Sequence, residues 1–440
     1  MNSIFTSMKK VAALALAGAV VVALAACGAK TTQPDTTNLR LINLAPENGA
    51  LNLVLGDDPG TSLATGVAFR ASSGYKSFES GAVRLRVNGT SGTLIDTKIV
   101  LAGKANTTLL MYGGSATISS AIIGDVESIS TTAANFKIRF GNYGVGLPTM
   151  DLYMLKSTEN LTDAQPLVRG VTTRAVTDFS DLAAAGLSIK LTETGTKDLI
   201  FDSDAYTFVA GKTYFLTAYS NGSGRLANTI LQEFNTDGSI TLLNNKIARV
   251  RALNGSNDSG PIVLRGGASG NEILFSSIPY EGASGYKIVP VGAVNLRFEL
   301  ANTPGTTTAA SAVTFNGGMD YTAVLAGSVL ANSARATAYI DQSFPPAPSK
   351  ARVRFVNATS GVGIVDAYAS FAPVVKGLAQ NAASSYIELN AGTVDYTVNG
   401  AGQGASILSI PPVTVTAGLV YTVFIIGQPG FLKGVVRQDN

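Results

Sequence analysis

The sequence contains no histidine and no tryptophan, and its single cysteine is Cys27. Without histidine the chain lacks the commonest general base, the commonest metal ligand and the side chain that titrates near neutral pH. One cysteine cannot form an intramolecular disulfide, so the folded part must depend on its hydrophobic cores. The absence of tryptophan removes the usual aromatic platform for a sugar. We therefore expect no enzymatic activity, no cofactor and no metal.

Charge is also scarce, since only 14% of the residues are Asp, Glu, Lys or Arg. The formal net charge is +3, and it falls to +1 if Lys9 and Lys10 are removed with the N-terminal segment. The remaining basic residues are scattered singly, without the basic patch that a nucleic-acid partner requires. Because 46% of the residues are hydrophobic, a folded chain is expected rather than a disordered one.

The N-terminus has the three parts of an export signal. Lys9 and Lys10 precede an uncharged apolar stretch, residues 11–26, which is shorter than the roughly 20 residues that span a bilayer core. The small residues Ala25 and Ala26 then provide a cleavage site. We predict a cleaved signal peptide over residues 1–26 rather than a transmembrane helix.

The cysteine at this cleavage site points to a lipid anchor. The signal ends in the run Leu24-Ala25-Ala26-Cys27-Gly28, which resembles the signal of bacterial lipoproteins. The resemblance implies that a signal peptidase recognises this run, that Cys27 receives a diacylglyceryl group, and that its new amine is acylated, for example with palmitate. Two or three acyl chains anchor a protein almost permanently. Since Gly28 rather than Asp follows the cysteine, the resemblance favours the outer membrane, on its periplasmic or its surface-exposed face.

The rest of the chain repeats one pattern four times, as apolar-Arg-apolar-x-Asn. The four arginines are Arg40, Arg139, Arg251 and Arg354. The asparagines that follow are Asn43, Asn142, Asn254 and Asn357. Successive asparagines are 99, 112 and 103 positions apart, which is the spacing of whole domains rather than of solenoid turns.

Three further patterns recur in these copies. Nine residues after each asparagine stand Asn52, Asp151, Val263 and Asp366. A glycine opens an alternating segment at Gly81, Gly186, Gly292 and Gly392, and six residues earlier three copies have Tyr75, Tyr286 and Tyr386. Three residues after a turn glycine, copies two to four have Tyr214, Tyr321 and Tyr421. Period-two alternation between glycine-rich turns is typical of short strands with one buried face.

These patterns predict an all-β protein of four tandem immunoglobulin-like β-sandwich domains. The best helical candidate, residues 178–187, is too short to change that class. We predict a lipidated cysteine and flexible tether over 27–37, then sandwiches at 38–133 (repeat 1), 134–244 (repeat 2), 245–347 (repeat 3) and 348–440 (repeat 4). The run Pro345-Pro346-Ala347-Pro348 predicts a stiff spacer before repeat 4. With short joins elsewhere, we expect a semi-rigid string roughly 140 Å long.

The repeats resemble the bacterial family called domain of unknown function 4397. The resemblance lies in Ala351-Arg352-Val353-Arg354-Phe355-Val356-Asn357, Val365-Asp366-Ala367-Tyr368 and Ala417-Gly418-Leu419-Val420-Tyr421-Thr422-Val423. It covers most of residues 38–440 and is weakest in repeat 3, where Val263 replaces the acidic or amide residue. The resemblance implies tandem immunoglobulin-like sandwiches in exported lipoproteins, and it brings no catalytic residues.

Each recurring residue has a structural and a functional interpretation. We expect the four arginines to face outward from their strands or to pair with Asp151 or Asp366, the alternative being a basic stripe. We expect the asparagines to hold turns and Tyr214, Tyr321 and Tyr421 to anchor packing, rather than to touch a ligand. We interpret three acidic loops as turns rather than calcium sites. They are Asp57-Asp58-Pro59-Gly60, Asp202-Ser203-Asp204 and Asn257-Asp258.

Three functions remain open at this point. The first is a non-enzymatic cell-envelope lipoprotein, held to the membrane through Cys27 and acting as a spacer, scaffold or adhesion-type stalk. The second is a surface module that binds a glycan or a protein through the loops at one end of the sandwiches, where binding residues usually lie. The third is a hydrolase that uses a pair of carboxylates alone.

Overall fold

The computed structural model describes residues 35–439, except residues 58, 126–129, 131, 235 and 268. The predicted signal peptide and the lipidation run from Leu24 to Gly28, with Cys27, lie outside the described residues, and so does Asp58 of the first acidic loop.

The described residues form 34 strands and one short 3-10 helix, Pro46–Asn48. The predicted all-β class is therefore confirmed, and the helical candidate at 178–187 is instead part of two strands. Within the described residues, no helix is long and apolar enough to cross a membrane.

Strands account for most of each repeat. Repeat 1 contains β1 (Thr36–Leu44), β2 (Leu51–Leu55), β3 (Thr61–Val67), β4 (Ala71–Ser72), β5 (Lys76–Glu79), β6 (Gly81–Gly89), β7 (Gly92–Leu101), β8 (Asn106–Tyr112) and β9 (Ser119–Gly124). Repeat 2 contains β10 (Asn135–Tyr143), β11 (Met150–Leu155), β12 (Val168–Val171), β13 (Ser180–Ala183), β14 (Gly186–Glu193), β15 (Leu199–Thr207), β16 (Thr213–Ser220), β17 (Ala227–Glu233) and β18 (Thr241–Leu243).

The second half of the chain follows the same plan. Repeat 3 contains β19 (Ile247–Asn254), β20 (Ile262–Gly266), β21 (Glu272–Ile278), β22 (Lys287–Pro290), β23 (Gly292–Leu300), β24 (Thr307–Phe315), β25 (Asp320–Ala326) and β26 (Arg335–Ile340). Repeat 4 contains β27 (Lys350–Thr359), β28 (Val365–Ala369), β29 (Ala372–Leu378), β30 (Ile387–Asn390), β31 (Gly392–Gly400), β32 (Ser406–Val415), β33 (Val420–Gly427) and β34 (Lys433–Gln438).

Each repeat consists of two facing sheets. The front sheets have the orders β4-β1-β8-β9, with β5 also on β1, β13-β10-β16-β17-β18, β22-β19-β25-β26 and β30-β27-β33-β34. The back sheets have the orders β3-β2-β6-β7, β12-β11-β14-β15, β21-β20-β23-β24 and β29-β28-β31-β32. In every front sheet the first strand of the repeat pairs in parallel with a late strand, as β27 does with β33. The other pairings are antiparallel hairpin or crossover pairs.

A hydrophobic cluster fills the space between the two sheets of each repeat. In repeat 4, Phe355 of the front sheet packs edge-on against Tyr396 of the back sheet, with ring centroids 5.5 Å apart. Both side chains are fully buried. Burying a side chain of this size stabilises a fold by about 1.5–3 kcal/mol. The strand glycines Gly81, Gly186, Gly292 and Gly392 each open the central strand of a back sheet, as their alternating sequence predicts.

The front sheets also bury their outer faces, because the repeats pack in pairs. One hydrophobic cluster joins the front sheets of repeats 1 and 2, and it includes Ile42, Tyr112, Tyr143 and Phe215. A second cluster joins the front sheets of repeats 3 and 4, and it includes Val324, Val356 and Phe424. Strands such as β19 are consequently buried on both faces along their whole length.

The two pairs are stacked, repeats 1 and 2 forming a lower tier and repeats 3 and 4 an upper tier. Arg352, at the start of β27, donates to Glu47, which follows β1, over 2.8 Å. Ser223, which follows β16, donates to Asp320 at the start of β25 over 2.7 Å. Both contacts join the place where lower-tier strands end to the place where upper-tier strands begin. The expected extended string is therefore wrong, because the outer faces of the front sheets are apolar and pack against each other.

The proline-rich spacer is also part of the junction between the tiers. Phe344 and Pro346 are buried, and a Cβ on Gly114 of repeat 1 would lie 2.5 Å from the Cβ of Phe344. The backbone N–H of Ser343 donates to the carbonyl of Gly222 in repeat 2. The segment before β27 thus docks on both lower-tier repeats instead of holding repeat 4 away from them.

The extra strand β18 carries the chain from one tier to the next. β17 runs back toward the side where β10 begins, and β18 pairs antiparallel with it. The chain therefore returns to the junction before repeat 3 starts at β19. By the same geometry, residue 35 lies at the side of the lower tier that faces away from the upper tier. We call this side the tether end, and we call the opposite side, where β27 and β33 finish, the far end.

Candidate functional site

The four repeated arginines face the partner repeat. In β19, Arg251 lies between Val250 and Ala252, which point into the core of their own sandwich. Its side chain therefore points outward, as alternation predicts, but the neighbouring front sheet covers it. Arg40, Arg251 and Arg354 are each at most 4% exposed. The predicted outward orientation is therefore confirmed, whereas the predicted pairing with Asp151 or Asp366 is wrong for all three, since their carboxylate partners are Asp125, Asp439 and Asp341.

Repeats 3 and 4 exchange ion pairs across their interface. Arg251 of repeat 3 donates to Asp439 of repeat 4 over 2.5 Å, and Arg354 of repeat 4 donates to Asp341 of repeat 3. Arg251 also donates to the carbonyl of Gln438, and Arg354 to the carbonyl of Ile340. Equivalent surfaces of the two repeats thus contact each other reciprocally, which is the pattern of an interface with pseudo-two-fold symmetry.

Threonine and tyrosine side chains complete each ion pair. The Nε of Arg354 donates to Thr422, and the hydroxyls of Thr422 and Tyr386 both donate to Asp439. The guanidinium of Arg354 also stacks over the ring of Tyr386, 4.8 Å from its centroid. Repeat 3 has the same arrangement with Arg251, Thr322, Tyr286 and Asp341. A buried charge is tolerated when its hydrogen-bonding capacity is filled in this way.

The pKa shifts follow from burial and from the neighbouring charges. Burial, and next the carboxylate of Asp341, raise the pKa of Asp439 above its usual value. Burial and the same carboxylate raise the pKa of the Tyr286 hydroxyl well above its usual value. Burial alone would lower the pKa of Arg251, but Asp341, Tyr286 and Asp439 together raise it. Arg251 therefore remains a cation at every physiological pH.

Repeat 1 has the same set of arginine, threonine, tyrosine and aspartate side chains, but its arginine pairs with the aspartate of its own repeat. Arg40 bonds to Thr108 over 2.7 Å, stacks over Tyr75, and lies 3.4 Å from Asp125 of its own repeat. Burial raises the pKa of Asp125. Among the described residues, Arg40 Nη1 and one oxygen of Asp125 are buried without a hydrogen-bond partner.

In repeat 2, phenyl rings replace the polar partners of the arginine. The guanidinium of Arg139 lies 4.7 Å from the ring centroid of Phe215, and it also stacks on Phe179 and Phe234. By register, Phe215 occupies the position that Thr422 occupies in repeat 4. Arg139 still donates to the carbonyl of Gly124 in repeat 1, so it reaches across the interface as Arg354 does. Cation–π contacts therefore stand where the other repeats have a threonine and a carboxylate of their own, while the charge of Asp125 in repeat 1 still attracts Arg139.

The repeated asparagines hold turns, as predicted. The amide of Asn357 donates to the carbonyls of Gly363 and Leu378, and its oxygen accepts from the backbone N–H of Thr359. Asn43, Asn142 and Asn254 make matching contacts to backbone groups. Each side chain ties the end of the first strand to the loop and strand that follow it.

The residues nine positions later also accept backbone hydrogen bonds. Asp366 accepts from the N–H groups of Gly377 and Gly402, and these bonds hold the pKa of its carboxyl below the usual value. Asn52 and Asp151 accept from glycine N–H groups in the same way. In repeat 3, where the position is Val263, the cross-strand neighbour Glu299 supplies the carboxylate and accepts from Gly305. In repeat 3 the carboxylate therefore comes from the neighbouring strand β23 instead of β20.

The tyrosines after the turn glycines form tyrosine corners. The hydroxyl of Tyr421 accepts from the N–H of Thr416 over 3.0 Å, five residues upstream. Tyr321 accepts from Asn316 and Tyr214 from Val209 with the same spacing. All three rings lie in the sandwich cores, so the predicted packing role is confirmed.

The carboxylates of the acidic loops form ion pairs with Lys or Arg side chains or accept hydrogen bonds from nearby groups. Asp57 pairs with Arg84 over 2.9 Å, and Asp202 pairs with Lys190. Asp204 lies 3.1 Å from Lys246. Asp258 accepts from Ser328 and from the N–H of Val329. No cluster of three or more His, Cys, Asp or Glu side chains that could bind a metal occurs among the described residues.

The comparisons with known proteins identify the repeats. The family described as "Domain of unknown function (DUF4397)" matches residues 37–153 and 248–368, more than half of the chain. The chain belongs to the DUF4397 family. No curated protein matches the sequence. Among solved structures, the Bacillus anthracis TIE protein is 10% identical, over 89% of this chain and 66% of that chain, with a TM-score of 0.17. The chain thus spans just under two thirds of that protein's length.

The DUF4397 chain exposes apolar side chains on loops at its far end. Leu330, in the loop after β25, is 85% exposed, and Phe431, in the loop after β33, is 62% exposed. Asp258 accepts hydrogen bonds from the N–H groups of the first of these loops, and Tyr280 donates to the carbonyl of Phe431. The loops are therefore fixed, and they hold the two apolar side chains in water. The sequence patterns did not point to either residue, because each occurs once in an irregular loop.

Proposed function

We propose that this DUF4397 chain is a lipid-anchored cell-envelope protein that acts as a rigid spacer or scaffold. The observation that supports the proposal is the stacking of two sandwich pairs through fixed polar contacts. Glu47 of the lower tier binds Arg352 of the upper tier and accepts from the N–H of Ser115. Burial acts to raise the pKa of Glu47, but these hydrogen bonds hold it below the usual value. The carboxylate is thus charged at neutral pH.

The direction of the stack suits an anchored protein. The tether end leads to the predicted lipid on Cys27, and the far end points away from it. The first strands of the four repeats have eight to ten residues, about 30 Å each at roughly 3.3 Å per residue. Two tiers would therefore hold the far-end loops about 60 Å from the start of the fold, in addition to the tether.

Membrane fractionation tests the anchor. We expect the wild-type protein in the membrane fraction and a Cys27→Ser variant, or protein from globomycin-treated cells, unprocessed or released. A matched control is Ser3→Ala, which changes the same signal segment without touching the cysteine. Lipid-free processing of the wild type with unchanged membrane binding after Cys27→Ser would contradict the proposal. Protease treatment of intact cells then distinguishes a periplasmic spacer from a surface-exposed one.

A second candidate function is adhesion through the far end. Leu330 and Phe431 are held in water on fixed loops, and such exposed apolar side chains are typical of contact sites. We expect a Leu330→Ser, Phe431→Ser double variant to lose binding to a glycan array or to a cross-linked surface partner. Val100→Ser is the matched control, because Val100 is 79% exposed but lies in the lower tier. Equal loss in the control, or no binding by the wild type in either assay, would contradict adhesion.

A further inference from the structure

A cavity of about 530 Å³ lies at the junction of the tiers, where repeats 2, 3 and 4 meet. Its lower wall includes Leu147, Pro148 and Arg225, and its upper wall includes Arg249, Tyr286 and Asp439. The volume falls within the range of small-molecule sites. Because its walls come from three repeats, the cavity exists only when the tiers are stacked.

The upper arginine presents an unused donor. Arg249 is 8% exposed, and its Nε and Nη2 bind both oxygens of Asp320 over 2.8 and 2.7 Å. Within the described part of the chain, no protein group accepts a hydrogen bond from its Nη1. Asp320 also accepts from Ser223 of repeat 2, so the guanidinium is held in place across the junction.

The arginine of the lower wall, Arg225, presents two more unused donors. Arg225 uses only Nη2, which donates to Glu193 over 2.5 Å and to Asp198 over 3.2 Å. Its Nε and Nη1 find no acceptor among the residues that the structure describes, and its side chain is 31% exposed. Both acids bind Nη2, which belongs to both bidentate edges of the guanidinium, so Nε and Nη1 remain as two separate single donors for a ligand.

The carboxylate and the phenol of the cavity wall already have hydrogen-bond partners. Both oxygens of Asp439 accept, one from Arg251 and the other from Thr422 and Tyr386. The hydroxyl of Tyr286 donates to Asp341. The charged side chains of the wall that keep unused hydrogen-bonding capacity are therefore the two arginines. Single N–H donors of two guanidinium groups can each bind one oxygen of the same carboxylate or phosphate through a charge-assisted hydrogen bond.

We propose that this cavity binds a small organic anion, a carboxylate or a phosphate ester, with its charged group between Arg225 and Arg249. The apolar side chains of Leu147 and Pro148 give the uncharged part of the anion a surface to pack on. A carboxylate and a phosphate share the chemistry that the arginines recognise, so both are tested. This inference concerns binding at the tier junction and does not depend on the lipid anchor or on the far-end loops.

Isothermal titration calorimetry of the detergent-purified full chain tests the proposal with four probes: glucuronate, glucose 1-phosphate, inorganic phosphate and neutral glucose. We expect glucuronate or glucose 1-phosphate to bind, and glucose to bind at least tenfold more weakly. Inorganic phosphate should also bind more weakly, because it lacks the ring. Equal binding of glucose, equal binding of inorganic phosphate, or no binding of either sugar anion at millimolar concentration would overturn the proposal.

Variants locate the site. Arg225→Gln should weaken the binding of the sugar anion at least tenfold. Arg169→Gln, at an exposed position of the same repeat, should leave the affinity for the sugar anion unchanged. Arg249→Lys keeps a cation beside Asp320 but removes Nη1, so it should also weaken binding, with folding checked by circular dichroism. Unchanged affinity in both cavity variants, or an equal loss in Arg169→Gln, would overturn the assignment.

Discussion

Replacing Asp341 by Asn should destabilise the upper tier more than any exposed charge replacement. The side chain of Asp341 is completely buried and accepts from Arg354, Tyr286 and Thr322. Asn keeps the shape but removes the negative charge, so two buried guanidinium groups would share the single carboxylate of Asp439. Breaking a buried ion pair by removing one partner costs about 3–5 kcal/mol. We expect a loss of that size.

Hydrogen exchange of the native protein measures this loss of stability specifically in the upper tier. Amides of β19 and β27 report the opening of the upper tier separately from the lower one, which a single unfolding curve of a multidomain chain does not. Asp57→Asn is the control, because Asp57 pairs with Arg84 at 2.9 Å but is 85% exposed. Exposed pairs contribute little to stability, because water and salt screen them. A loss below about 1 kcal/mol for Asp341→Asn would refute the view that the exchanged ion pairs are desolvated.

Two further predictions concern single side chains. Asp366→Asn should destabilise the protein at pH 7, and the difference from the wild type should vanish once the pH is low enough to protonate Asp366 in the folded state. The folded-state pKa of Asp366 is lowered, so its stabilisation is present above the unfolded value near 3.9 and lost as the pH falls through the folded value. Urea unfolding at several pH values checks this, and a pH-independent difference would contradict it. Tyr421→Phe should cost about 1–3 kcal/mol by unpairing a backbone N–H. Tyr396→Phe should cost nearly nothing, since the Tyr396 hydroxyl is buried without a partner among the described residues; equal losses would contradict the tyrosine-corner assignment.

Much of each sandwich could be predicted from the sequence because its determinants are local. Alternation fixes which side chains of a strand face the core, and the four strand-opening glycines stand at the start of β6, β14, β23 and β31. Asn357 and Tyr421 bind backbone groups within about 21 residues, so their repetition at constant offsets already indicates turns and corners.

The pairing of the repeats could not be predicted in this way. Alternation places Arg354 on the outer face of β27, and it does not say whether water or another sheet covers that face. The partner carboxylate, Asp341, belongs to the preceding repeat, and Asp439 lies at the end of the chain. One signal was nevertheless present, since Thr322 and Thr422 directly follow the corner tyrosines and an aspartate comes 19 or 17 residues later.

Repeat 2 shows why a repeated arginine was hard to interpret. Arg139 keeps its position, but its polar partners are replaced by Phe179, Phe215 and Phe234. A residue that is constant while its surroundings change is expected of a ligand site and also of an interface. The distances decide between these interpretations, because Arg139 donates into repeat 1.

Small-angle X-ray scattering tests the stacked arrangement most directly. The measurement uses a chain without its first 27 residues, so that neither lipid nor detergent contributes. Two stacked pairs of about 400 residues predict a radius of gyration of about 22–25 Å, close to that of a compact protein of this length. Four sandwiches in line, each about 35 Å long, would give roughly 40 Å instead. A value near 40 Å would contradict the face-to-face pairing of the repeats.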